Sequence, residues 1–179
     1  TTAMDIAISL GIYCAQRNVG PFKDRAISFS AVPSWLNFEG LDIYEAYGVA
    51  RNGGLNTNFQ KVFDLILDLA YSNRVSQAEM PNKILVVSDM EFDSANTGSS
   101  GSGIGRNQPT NFEEIRSKYA KYGYEMPTLV FWNVLGRPNN TPVTIKDSNV
   151  ALISGYSPSI LNSLLSGKNV TPVDVMLTT

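Results

Sequence analysis

Residues 83–93 read KILVVSDMEFD, an uninterrupted apolar run that ends at Ser88 and is followed at once by acidic residues. A run of this kind is typical of a parallel strand buried on both faces of a sheet. Similar runs occur in TLVFWNV at 128–134 and in NVALIS at 149–154. These segments predict a parallel sheet inside the protein, because parallel strands are normally covered by helices on both faces.

Helical patterns alternate with these strands. Helices are predicted over 4–17, 41–50, 58–73, 111–122 and from 157 to 165. Two short β-prone segments, 25–30 and 34–38, predict a strand pair. The alternation predicts one α/β domain over residues 1–179, with a doubly wound, mainly parallel sheet flanked by helices.

The composition excludes several classes of site. Histidine is absent and Cys14 is the single cysteine, so His–Cys zinc sites, Ser-His-Asp triads and internal disulfides are excluded. Any bound metal should therefore be a hard ion held by oxygen ligands. The lone cysteine favours an intracellular, cytoplasmic protein.

Charge and hydropathy limit the partners. The formal net charge of −2 provides no overall basic field, so no direct contact with nucleic acid is expected. No apolar run approaches the roughly 20 residues of a membrane-spanning helix, so no membrane partner is expected. Trp35 and Trp132 are interpreted as packing residues, and Lys118 and Lys121 as the solvated face of their helix.

Oxygen-bearing side chains lie where a site is expected. Asp89 directly follows the 83–88 strand, and Asn56, Thr57 and Asn58 precede the long second helix. In a doubly wound sheet, sites form at the carboxyl ends of the strands. The alternative interpretations are structural: Thr57 as a helix cap, with Asn56 and Thr57 in capping position, and Asp89 as a turn former.

These segments together resemble a known family. The order of MDIAISLGIYCAQR, RAISFS, NTNFQKVFDLIL, SDMEFD, FWN and SGYSPSIL resembles the von Willebrand A-like domain of a protein family of eukaryotes and large viruses. That domain is related to the C-terminal domain of Ro/TROVE proteins. The resemblance covers nearly the whole chain and implies a von Willebrand A, Rossmann-like fold.

The resemblance also implies a metal-ion-dependent adhesion site. Its pattern is D-x-S-x-S after the first strand, a threonine in a second loop and an aspartate in a third. Thr57 matches the threonine and Asp89 matches the aspartate. Such a site binds Mg²⁺ or Mn²⁺, and a carboxylate of a protein partner fills the remaining coordination position.

This chain departs from the family pattern at its start. D-x-S-x-S does not occur, and Thr1 corresponds to the beginning of the family's first helix. The domain is therefore expected to be N-terminally incomplete, without its first central strand, so Thr57 and Asp89 alone should bind a metal poorly. We expect preceding residues or a second chain to supply that strand. A neighbouring molecule could also donate one by strand addition.

Three functions remain open at this point. The first is a binding or adaptor domain that recruits a protein partner through the metal. The second is a component of a ribonucleoprotein, although the acidic balance argues against direct RNA contact. The third is a metal-dependent hydrolase that uses Asp89, Glu91 and Asp93, but the sequence offers no obvious pair of nucleophile and base.

Overall fold

The computed structural model describes residues 2–28, 30, 32–51, 58–88, 112–133 and 150–154. The elements in chain order are α1 (Ala3–Ala15), β1 (Arg25–Ile27), β2 (Trp35–Asn37), α2 (Ile43–Arg51), α3 (Phe59–Ser72), β3 (Lys83–Ser88), α4 (Phe112–Lys121), β4 (Thr128–Asn133) and β5 (Val150–Ser154). The chain is therefore a mixed α/β protein, as predicted. The helix predicted from residue 157 lies outside the described residues.

The described strands form two sheets. β3, β4 and β5 make a parallel sheet in that order, with β4 in the centre. All three apolar runs of the sequence are thereby confirmed as parallel strands. β1 and β2 form a separate antiparallel pair, in which Ala26 lies opposite Leu36. The predicted strand pair is confirmed, but β1 is shorter than the predicted segment 25–30.

The N-terminus of α3 corrects one detail of the sequence reading. The side chain of Asn58 caps this helix and accepts a hydrogen bond of 3.2 Å from the Lys61 N–H. Capping position was predicted for Asn56 and Thr57. Asn58 is the residue directly before the first helical residue, so its short amide side chain can reach a free N–H of the first turn.

Helices cover both faces of the parallel sheet. On one face, α3 and α4 contribute Phe63 and Tyr119 to a cluster that contains Leu129 and Phe131 of β4. On the other face, Ala3, Ile6 and Leu10 of α1 pack around Val130 and Trp132, which also point from β4. The alternating side chains of β4 are thus buried in two different cores, as the sequence predicted.

Helix α1 also covers the antiparallel pair. Ile8 and Ile12 lie in a third cluster, against which Ala26 of β1 and Leu36 of β2 pack. Ala46 of α2 completes this cluster. One helix therefore packs on both sheets. No helix in the described ranges is long and apolar enough to cross a membrane.

The burial of β3 differs from the expectation. Residues 83–88 were predicted to be a strand buried on both faces. Among the described residues, β3 lies at the edge of its sheet and pairs with β4 alone. Val86 is buried, whereas Ile84, Leu85 and Val87 are only half-buried. A strand that has a neighbouring strand on one side only leaves its side chains partly exposed on the other side, whatever its composition.

Candidate functional site at the carboxyl ends of the strands

Three adjacent strands end on residues with an oxygen-bearing side chain. Ser88 of β3 lies in register with Asn133 of β4, and Asn133 lies in register with Ser154 of β5. We call these three residues the carboxyl row. Because the strands are parallel, the row runs along a single edge of the sheet, where open α/β sheets bind ligands. Asn133 is buried at 7% exposure.

The start of α3 lies at the same edge. The ring of Phe59 packs edge-on against the ring of Phe131, with centroids 5.4 Å apart. Phe131 lies only two residues before the carboxyl row. At the other end of the helix, the Tyr124 hydroxyl donates a 2.8 Å hydrogen bond to the carbonyl of Val75, and Tyr124 precedes the start of β4. Helix α3 therefore runs antiparallel to the strands, and Asn58 lies toward the row.

The first turn of α1 fixes one carboxylate in a structural role. The Thr2 N–H donates a 2.7 Å hydrogen bond to Asp5 Oδ2, and the Asp5 N–H donates a 3.2 Å bond to Thr2 Oγ1. The Tyr47 hydroxyl of α2 donates to the other oxygen, Oδ1. These donors, led by the Thr2 N–H, lower the pKa of Asp5 to about 2. Asp5 is thus engaged in capping α1 and holding α2.

The ammonium group of Lys118 also has a structural partner. Lys118 lies on the face of α4 that was expected to be solvated, and its Nζ donates to Asp64 Oδ1 of α3 at 2.8 Å. This hydrogen bond raises the pKa of Lys118. Both side chains remain about a third exposed, so the pair adds little stability. It links the two helices that cover one face of the sheet.

The two tryptophans are packing residues, as predicted. Trp132 is 1% exposed in the centre of the sheet. Trp35 is half-buried and its ring packs against Phe22, with centroids 6.3 Å apart. Neither ring is presented as an open stacking surface.

The comparisons with known proteins assign a family. The family described as a domain of unknown function, DUF7788, matches residues 1–176. The chain belongs to this family. The protein of Acanthamoeba polyphaga mimivirus named uncharacterized protein L728 is 29% identical over 177 residues. That alignment covers 97% of this chain but 30% of the viral protein, so the chain spans less than a third of this relative. No solved structure matches the chain.

The residues predicted to hold a metal are not among those that the structure describes. Thr57, Asp89, Glu91 and Asp93 all lie outside the described residues. Their described neighbours in sequence are Asn58, which caps α3, and Ser88, which ends β3. The metal ligands predicted for this member of the family therefore stay a prediction.

The part of the chain that the structure describes holds no acidic cluster for a metal ion. Within residues 2–51, 58–88, 112–133 and 150–154, apart from positions 29 and 31, no group of three acidic, histidine or cysteine side chains could hold a metal ion. The carboxyl row consists of Ser, Asn and Ser, and hydroxyl and amide oxygens suit a hard cation but do not neutralise it. A cation there would need a carboxylate in addition, and Asp89 follows Ser88 directly.

Sequence reasoning missed two members of the row. Asn133 and Ser154 were not singled out, because each was read only as part of a predicted strand, 128–134 and 149–154. The signal was present in the sequence: the apolar runs KILVV, LVFW and VALI are each followed immediately by Ser or Asn. The observed register, which pairs these three strand ends, brings the polar residues together.

Proposed function

We propose that this chain is a binding domain that recruits a protein partner through a divalent ion, Mg²⁺ or Mn²⁺, at the carboxyl row. The observation that supports this most strongly is the register of Ser88, Asn133 and Ser154 at one edge of a parallel sheet. β3 continues directly into Asp89, which can add the carboxylate that the row lacks.

We also propose that the fold is of the von Willebrand A type. Three features support this: the parallel order β3-β4-β5, the helices on both faces of that sheet, and the antiparallel pair β1-β2 beneath α1. The descriptions of the matching family and of the viral relative name no activity, so the function is inferred from this arrangement.

The proposed donor set suits a bridging role. Thr57 would offer a neutral hydroxyl and Asp89 a carboxylate, and Mg²⁺ keeps several water ligands when few protein ligands bind it. A single carboxylate leaves positive charge on the ion. An acidic side chain of a partner could replace one water and offset this charge, which makes the ion a bridge between two proteins.

A metal titration tests this function. We expect Mn²⁺ to broaden the NMR signals of residues next to the row, above all Asn133 and Ser154, in a saturable way and at millimolar rather than micromolar concentration. Asp89→Ala should remove this effect, because the row itself is neutral. Asp68→Ala is the matched control, since Asp68 is an exposed carboxylate on α3.

Two outcomes would count against a metal-dependent binding function. One is broadening at the row that persists unchanged in Asp89→Ala. The other is equal loss of broadening in Asp68→Ala, which would point to diffuse attraction of the cation by an acidic surface.

A further inference from the structure

A surface groove lies where α3 and α4 end, on the side of the molecule away from the carboxyl row. Its volume is about 580 Å³, within the range of ligand-binding clefts. Six described residues line it: Tyr71, Ser72, Arg74, Val75, Tyr122 and Tyr124. We call it the tyrosine groove. None of these six residues is acidic, and none belongs to the proposed metal site.

Two exposed tyrosine rings give the groove its apolar surface. The rings of Tyr71 and Tyr122 meet at 77°, with centroids 5.0 Å apart, and the residues are 60% and 45% exposed. A third tyrosine, Tyr124, is held in place because its hydroxyl donates to the Val75 carbonyl at 2.8 Å. A surface this open covers a ligand on one side only, which suits an extended segment better than a small molecule.

Arg74 stands at a backbone position that favours glycine. Its φ is 53°, in the left-handed region. The turn closes α3, since the Val75 N–H donates to the Ala70 carbonyl at 2.9 Å and the Arg74 N–H donates to the Tyr71 carbonyl at 3.2 Å. Helices commonly end in this way on glycine, which adopts the conformation without a steric cost. The stability of the turn therefore does not explain an arginine here.

The charge of Arg74 is also not needed to cap α3. A cation near the end of a helix often bonds to the last carbonyls. Here the Leu69 carbonyl accepts from the backbone N–H of Asn73 at 3.2 Å and from its side-chain amide at 2.8 Å, and the Ala70 carbonyl accepts from Val75. Among the described residues, Arg74 forms no ion pair. Its guanidinium can therefore pair with an acidic group of a ligand.

The described lining offers no strand edge to a ligand. Its residues lie in α3 or in the turns after α3 and α4, and the N–H groups of Val75, Tyr122 and Tyr124 all donate within the protein. A bound segment must therefore do without a backbone ladder. Polyproline II meets this condition, because it has no internal hydrogen bonds and proline carries no N–H. Its carbonyls can accept from the hydroxyls of the groove.

The prolines of this chain do not form such a segment. None of the nine is adjacent to another, and no two have the P-x-x-P spacing that aromatic grooves recognise. A P-x-x-P segment must therefore come from outside these 179 residues. The exposed rings could also stack on bases, but the net charge of −2 disfavours a nucleic acid.

We propose that the tyrosine groove binds an extended proline-rich segment of a partner protein, with P-x-x-P spacing and an adjoining acidic residue. The prolines pack against the rings of Tyr71 and Tyr122, and the acidic side chain pairs with Arg74. Binding costs little ordering entropy, because polyproline II is already populated in the free segment. The proposal does not depend on the metal site.

Three blocked peptides test the tyrosine groove. The probe is Ala-Pro-Pro-Leu-Pro-Glu-Glu. One control has alanine in place of each proline, and the other has lysine in place of each glutamate. We expect the probe to shift the NMR signals of the Tyr71 and Tyr122 rings in a saturable way, because its prolines contact both rings. Each control should bind about fivefold more weakly or less, since it lacks one of the two contacts.

Arg74→Asn separates recognition of charge from stability. Asparagine tolerates the left-handed backbone, so the urea midpoint should not fall, whereas the probe should bind about fivefold more weakly. The preference for the glutamate peptide over the lysine peptide should disappear in this variant. Tyr71→Ala should weaken binding about tenfold, because it removes an aromatic contact. Tyr44→Ala, at an 85% exposed tyrosine of α2, is the matched control and should have no effect.

Four results would overturn the inference. The first is that saturating probe shifts neither ring, and the second is that the alanine peptide binds as tightly as the probe. The third is that Tyr71 and Tyr122 are as protected from a soluble paramagnetic agent as the buried Tyr119, so that another part of the protein covers the groove. The fourth is that single-stranded oligouridylate shifts the same rings more strongly than the probe at equal concentration.

Discussion

Strands β3 and β4 are alike in sequence and unlike in environment. Each has six residues with a strongly apolar run, and they lie side by side in parallel register. Yet Leu129, Val130, Phe131 and Trp132 of β4 are at most 2% exposed, whereas three of the apolar residues of β3 are only half-buried. The difference lies in their neighbours: β4 has a strand on each side, and β3 has a described strand on one side only. Composition therefore indicates the kind of strand but not its place in the sheet.

The largest expected effect comes from a matched pair of leucine substitutions. Leu129→Ala in β4 should lower the free energy of unfolding by about 3–4 kcal/mol, because it leaves a cavity in a closed core. Leu85→Ala in β3 should cost about half as much, since its side chain is already partly in water. Urea denaturation of both variants measures the two values. Equal costs would show that β3 is as well covered in solution as β4.

A smaller effect concerns the helices that bury β4. The hydroxyl of Tyr119 in α4 donates a 2.7 Å hydrogen bond to the Phe63 carbonyl of α3, and Tyr119 is fully buried. Burial raises the pKa of this hydroxyl well above its ordinary value. Tyr119→Phe should reduce the free energy of unfolding by about 1–2 kcal/mol, because a buried hydrogen bond is lost.

Tyr122→Phe is the control for that measurement. Tyr122 directly follows α4 and is 45% exposed. Its hydroxyl can therefore bond to water in both the folded and the unfolded state. No change is expected in its urea midpoint. An equal loss of stability in both variants would show that the hydrogen bond of Tyr119 does not contribute specifically to holding α4 in place.

The smallest effect concerns α1, the helix above the edge of β3. The pKa of Asp5 is lowered from 3.8 to about 2, mainly by the Thr2 N–H and the Tyr47 hydroxyl. A lowered pKa means that the ionised form stabilises the fold; this contribution is complete above pH 4 and is lost as the pH falls toward 2. The melting temperature should decrease over that interval, and Asp5→Asn should flatten the decrease. If the melting temperature of Asp5→Asn decreased as steeply with falling pH as that of the wild type, the cap of α1 would not be the cause of the acid sensitivity.

The sequence predicted the strands well because their signal is local. An apolar run of six residues between polar segments is typical of a buried strand, and KILVVS, TLVFWN and VALIS are all strands of one parallel sheet. The α3 cap was misplaced because Asn56, Thr57 and Asn58 all carry capping side chains. Only the residue that directly precedes the first helical turn can cap the helix, and the composition does not indicate at which residue the helix begins.

The candidate site was predictable only in part. The carboxyl edge of the sheet follows from the alternation of strands and helices, and Asp89 stands directly after one strand. Asn133 and Ser154 depend on register, which is set by how neighbouring strands align and not by either strand alone. The edge position that β3 has among the described residues depends on what lies beyond it in space, and a run of apolar residues carries no such information.

The sharing of α1 between the two sheets has a consequence for how the protein unfolds. Ile8 and Ile12 bind the helix to the antiparallel pair, while Ile6 and Leu10 bind it to the parallel sheet. Neither sheet can lose this helix without uncovering apolar side chains of the other, so the two should melt as a single cooperative unit. We therefore expect this helix of 13 residues to make one thermodynamic domain out of the two hydrogen-bonded sheets that the described residues form.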